Sequence, residues 1–182
     1  MNPLIILLVL PIISFSQNEC KYINPDKVTW SDYKGRIDYS KTTDATTSTK
    51  FIYKLVSDTT ATRLSKAEIG VVFCRDLSWV NNSKIADKKL WDRLLDHEKL
   101  HIKQKMVNAK KFKKSLLALR SMKLSQSVLQ KLINDFDASD KKDTDKYDAE
   151  TNHGRIEQSQ NKWKAKIEKE YNNLKTIKLI GE

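Results

Sequence analysis

The apolar residues of this chain keep two different rhythms, and the change falls close to residue 80. Before it they come in short β-branched and aromatic stretches, residues 46–56 and 67–74, with Gly35 and Ser57-Asp58 marking turns. Such composition fits a pleated, half-buried surface and predicts strands. From Asn82 onward Gly and Pro almost vanish, and Lys, Leu, Glu, Asp and Gln take over. A first helix is predicted over residues 83–121, where Leu90 and Leu94, then Trp91, Leu95, Ile102 and Met106, recur at helical spacing. A second begins near Ser127, with Ser127 and Gln130 suited to a capping box and Leu129, Leu132, Ile133 and Phe136 as its apolar stripe. The polar stretch 137–146 reads either as its solvated continuation or as a loop. A last helix covers residues 155–174 and turns Trp163, Ile167, Tyr171 and Leu174 to the core. The order predicts an α+β fold: a small N-terminal antiparallel sheet over residues 20–80, then a helical C-terminal half over residues 83–175.

The chain opens on an apolar run, residues 3–13, too short to span a bilayer as a helix. Ser14-Phe15-Ser16 then offers small residues at the two positions a signal peptidase reads. Residues 1–16 are therefore expected to be a signal peptide, cut before Gln17. No Lys or Arg precedes the run, so the alternative is an uncleaved anchor. Gln17-Asn18-Glu19 is not the small apolar stretch that lipidation of Cys20 would need. Residues 17–182 suit one domain, and no further apolar run is long enough to cross a membrane. Export to the periplasm or the medium would place the chain in an oxidising compartment. There Cys20 and Cys74, the only cysteines, could pair and tie the amino terminus to the sheet, or Cys74 could equally stay an inert buried thiol after the apolar run 69–73.

The formal net charge is +11, and Lys103, Lys105, Lys110, Lys111, Lys113 and Lys114 crowd the first long helix. A nucleic-acid partner is the usual reading of such a balance. Export and the absence of any nucleic-acid-binding motif argue against it. Anionic envelope polymers, or simply a solvated helix face, account for the charge better.

The chemistry is concentrated in three histidines, the only ones in the chain. Two stand in the run His97-Glu98-Lys99-Leu100-His101, which reads H-E-x-x-H. Positions i and i+4 share a helix face, so both imidazoles can reach one metal ion, and Glu98 sits beside them as general base. Three fixed residues match many metal-free surface helices by chance. Here, however, the flanks are free of Pro and Gly and carry a helical apolar pattern. His153 completes a possible three-ligand set for a catalytic zinc, which keeps a fourth position for water. Glu150 and Glu157 lie three before and four after it, and on a continuous helix either could replace it as ligand. Glu150 or Asp148 is otherwise expected to hold a ligand imidazole by its second nitrogen. Tyr147 is a candidate donor to a developing oxyanion, or else a phenol packed in the core.

A longer series supports this reading. Trp30-Ser31-Asp32-Tyr33-Lys34-Gly35, Ser78-Trp79-Val80, Leu95-Asp96-His97-Glu98-Lys99-Leu100-His101 and Tyr147-Asp148-Ala149-Glu150-Thr151-Asn152-His153-Gly154, followed by Trp163, together resemble a bacterial domain-of-unknown-function family, number 922. Its members are described as secreted zinc-dependent proteases with an HExxH motif and a downstream YDxxTxHG motif. The resemblance spans nearly all of residues 17–182, and the chain departs from it at Leu100, where members often carry Gly. It implies a zincin-like fold, His97, His101 and His153 as ligands of a zinc ion, and Glu98 as catalytic residue. It implies no particular substrate. The function expected is an exported zinc metallopeptidase acting on a polypeptide or on cell-wall peptide, with residues 67–74 as the strand that pairs with substrate. The alternative is a non-catalytic envelope protein whose metal is structural and whose basic surface binds anionic polymers.

Overall fold

The computed structural model describes residues 20–57, 64–85 and 87–182; the expected signal peptide lies outside them. The fold is α+β, a small antiparallel sheet followed by three helices. Strand β3 (Thr49–Ser57) and strand β4 (Leu64–Cys74) form its main hairpin, in register from Thr49 opposite Phe73 to Ser57 opposite Leu64. Strand β1 (Cys20–Lys21) adds to the other side of β4, opposite Cys74 and Phe73, and a Cys20–Cys74 disulfide fastens it there. β4 is thus the middle strand of the three. A second ladder pairs β2 (Ala45–Thr46) with β5 (Trp79–Val80) and holds the approach to the first helix.

Helix α1 (Lys88–Ala118) starts later than its sequence pattern predicts. Residues Asn82–Lys84 form a separate 3-10 turn, and Asp87 caps the helix by accepting from the Lys89 amide. α1 is buried on two faces. Ile102, Met106, Ala109, Phe112 and Leu116 pack against Ile69, Val71 and Phe73 of β4. Leu100 and Val107 pack against Tyr147, Trp163 and Ile167 of the other two helices.

Helix α2 (Gln126–Thr151) is capped by Ser125, whose hydroxyl accepts from the Val128 amide, rather than by Ser127. The polar stretch 137–146 is part of it. Three successive residues of positive φ then break the chain: Asn152 at 48°, His153 at 52° and Gly154 at 78°. Helix α3 (Glu157–Asn173) starts beyond this turn. Glu150, His153 and Glu157 therefore do not share one continuous helix face. No described helix is long and apolar enough to cross a membrane.

Several lysines of α1 are not the bare solvated face that the sequence offers. Lys103 reaches Asp26 and Glu168 at 2.9 and 2.7 Å, and Lys105 reaches Asp140 at 2.8 Å. Lys110, only 2 % exposed, bonds Glu182 and the Ile177 carbonyl. Lys111 pairs with Glu170, and Lys113 donates to the Lys178 carbonyl. Long amphipathic stems cover apolar surface while their ends find partners on α2, α3 and the C-terminal segment.

Candidate metal centre

One helical turn apart on α1, the His97 and His101 side chains meet edge to face, with ring centroids 4.6 Å apart. Their Nε2 atoms are 3.0 Å from each other. Asp148, near the end of α2, places Oδ1 3.1 Å from His97 Nε2 and 3.0 Å from His101 Nε2. His153 Nδ1 comes to 3.6 Å of the same oxygen. Two overlapping groups have metal-ligand spacing: His97, Glu98 and His101, and His97, Asp148 and His153, the donor atoms of each lying within 4.8 Å of one another. Donors bound at ~2.0–2.1 Å around one tetrahedral ion stand roughly 3.4 Å apart, so the cluster has the right size for zinc. Its chemistry suits zinc as well, imidazole nitrogens with carboxylate oxygens.

Glu98 is 4 % exposed, and its Oε2 is buried without a hydrogen-bond partner. Among buried polar atoms such an orphan calls for an explanation, and an ion or an ordered water beside the histidines supplies one. The electrostatics run the same way. Burial alone would raise the Asp148 carboxyl, but the bond from His101 holds it well below the usual carboxylate range. Burial would lower the His101 imidazole, yet Asp148 and Glu98 carry it above its ordinary value. Across the sheet-facing side, burial and the Glu98 charge push the Tyr33 phenol well up.

A second layer fixes these groups. The Tyr147 ring, fully buried, stacks on His97 at 4.5 Å. Its hydroxyl lies 3.1 Å from Gln160 Oε1 and 3.4 Å from the His97 carbonyl, and burial drives its pKa up. Gln160 Oε1 is also 3.1 Å from His97 Nδ1. The Thr151 hydroxyl donates to the Tyr147 carbonyl at 2.7 Å and accepts from the Gly154 amide at 3.3 Å, so it pins the turn that carries His153. Arg93 Nε holds the Gly154 carbonyl to α1, and Arg155 pairs with Asp44 near the β2–β5 ladder.

The structure thus brings His97, Glu98 and His101 together, sets His153 with His97 and Asp148, and stacks Tyr147 under His97. Asp148 contacts the Nε2 side of both HExxH histidines, where a metal would be bound, and not a second nitrogen as the sequence had suggested. That place at His97 belongs to Gln160. Glu150 accepts from Trp163 Nε1 at 2.8 Å, and Glu157 pairs with Arg93 and Lys89, so neither stands in as ligand. Sequence reasoning passed over Gln160. The available signal was its position three before Trp163 and seven before Ile167, on the apolar stripe of α3.

β4, which holds residues 67–74 expected to pair with substrate, packs on α1 but is the middle strand, with β3 and β1 on its two edges, and so is not open to an added strand there. Of the two edge strands, β1 and β3, the longer is β3. Along it runs a groove of about 600 Å³ between Thr47, Ser48 and Thr49 on one side and Lys105, Asp140 and Thr144 on the other. Lys105 and Thr144 are one helical turn from His101 and Asp148 respectively.

With this geometry in place, comparison with known proteins gives a family and no function. The profile of the family described as bacterial protein of unknown function (DUF922) matches residues 29–154, well over half of the chain, and the chain belongs to that family. No curated protein matches it, and no solved structure does.

Proposed function

We propose that this chain is an exported zinc-dependent hydrolase of peptide bonds, with a zincin-like site on α1. The observation that carries the reading is the buried, unpartnered Glu98 Oε2 beside two imidazoles one turn apart. A closed structural site has no need of such a carboxylate. His97, His101 and His153 would hold the ion, and the Cys20–Cys74 disulfide is consistent with residence outside the reducing cytosol. When bound, zinc lowers the pKa of a coordinated water towards ~7 and polarises a carbonyl. The rest falls to the protein. Glu98 Oε2 is placed to accept a proton from the attacking water and to deliver it to the departing amine nitrogen. Asp148 draws the imidazoles into one cluster. Tyr147 acts by packing under His97 and not as an oxyanion donor, since its hydroxyl faces Gln160 and the His97 carbonyl. The groove along β3 offers an extended polypeptide, or the peptide of cell-wall material, a path towards the site.

A second reading has an observation of its own. With Asp148 Oδ1 as near to the histidines as they are to each other, His97, His101, His153 and Asp148 would close a four-donor structural site. The metal would then staple α1 to the α2–α3 turn of a non-catalytic envelope protein. Incubating purified zinc-loaded protein with an unbiased peptide library separates the two. The hydrolase reading expects defined cleavages that fall by ~10²–10⁴-fold in Glu98→Gln, with zinc retained. Cleavage at equal rates by both proteins would remove the mechanism.

A further inference from the structure

We infer that Gln160 is a positioning residue that decides which nitrogen of His97 faces the cluster; the inference rests on the metal reading above. Gln160 stands on α3, beyond the stretch matched by the family profile, and is 3 % exposed. A neutral imidazole carries one proton, and either nitrogen can hold it. Gln160 Oε1, 3.1 Å from His97 Nδ1, can only accept, so it keeps that proton on Nδ1. The lone pair is thereby left on Nε2, which points at His101 Nε2 and Asp148 Oδ1, 3.0 and 3.1 Å away. Bond and lone pair are the two ends of one choice, and a ligating histidine needs both.

Two further contacts show that the arrangement is built. The Tyr147 hydroxyl donates to the same Oε1 at 3.1 Å, which fixes the oxygen side of the amide towards His97. The Tyr147 ring lies almost parallel to the imidazole, at 23°, leaving it little freedom to turn over. Packing alone does not call for an amide here. Gln160 Nε2 is buried without a partner, a cost that Leu or Met would avoid on a stripe shared with Trp163 and Ile167. What the amide adds is the acceptor at His97.

The test is zinc affinity, measured with zinc ion alone in competition with a chromophoric chelator, beside the unfolding midpoint of the zinc-free protein. Gln160→Leu should bind zinc about 10- to 100-fold more weakly than wild type. Gln160→Glu keeps an acceptor at Nδ1 and should bind at least as tightly as wild type, a rescue that a purely structural role would not give. If Gln160→Leu fails to fold, Gln160→Glu decides: binding weaker than wild type overturns the inference. Wild-type affinity in a folded Gln160→Leu overturns it too. Wild-type protein that takes up no zinc overturns the metal reading itself and this inference with it.

Discussion

A Cβ added at Gly154 would lie 2.8 Å from the Cβ of His97 and 3.0 Å from its Cγ. The turn after α2 is thus moulded against a candidate ligand, with Gly154 at a φ of 78° that L side chains rarely adopt. Gly154→Ala should cost about 1–3 kcal/mol in backbone strain alone. Because the crowded atoms belong to the root of His97, the variant should also bind zinc more weakly. Chemical denaturation and zinc titration check the two effects. Unchanged zinc affinity would mean that the turn does not set the position of His97.

Lys110 gives a prediction in pH. Its ammonium is buried between the Ile177 carbonyl and Glu182, 2.8 and 2.7 Å away. Burial would raise the Glu182 carboxyl, but Lys110 and the Leu179 amide hold it below its ordinary value of 4.5. A depressed folded pKa contributes stability that is present above the unfolded value and lost as pH falls through the folded one. Glu182→Gln should therefore be less stable than wild type at pH 7, by about 1.5 kcal/mol, because Lys110 loses a charged partner but keeps the Ile177 carbonyl. The gap should narrow as pH falls below 4.5 and close once it has passed through the lowered folded value. A gap independent of pH would assign the effect to packing.

The Cys20–Cys74 bridge spans a sequence separation of 54. On the chain-entropy account, closing a loop of that length stabilises the fold by about 4 kcal/mol. Replacing both cysteines by Ser should lower the unfolding midpoint accordingly, and a reductant should lower wild type and leave the double variant unmoved. Equal sensitivity of both proteins to reductant would contradict the account.

Asp148→Asn separates a positioning carboxylate from a fourth ligand. The hydrolase reading expects one zinc per chain to remain, with affinity lowered about 10- to 100-fold as for other residues that orient ligands. Loss of stoichiometric zinc would instead favour the closed, structural centre.

Much of this was legible in the sequence because it depends on local spacing. The i, i+4 placement of His97 and His101 needs only a helix, and the absence of Pro and Gly from residues 88–118 supplies one. The strands of the main hairpin followed from their β-branched and aromatic content. What could not be read was set by tertiary contact. Nothing in Asn152-His153-Gly154 announces three positive φ values in succession, and without that turn Glu150 and Glu157 look as available as His153. Asp148 could be placed near an imidazole, but which nitrogen it meets depends on how α2 crosses α1. Lys103 and Lys110 read as surface charge because their partners, Asp26, Glu168 and Glu182, lie far off in sequence.

The central claim is that a zinc ion is held at the HExxH face of α1. The direct measurement is metal content by elemental analysis of purified protein, wild type beside His101→Ala. One zinc per chain is predicted for wild type, and little or none for the variant, because the remaining donors hold the ion poorly. Wild-type protein that stays metal-free after exposure to zinc, or a variant that retains a full equivalent, would contradict the account.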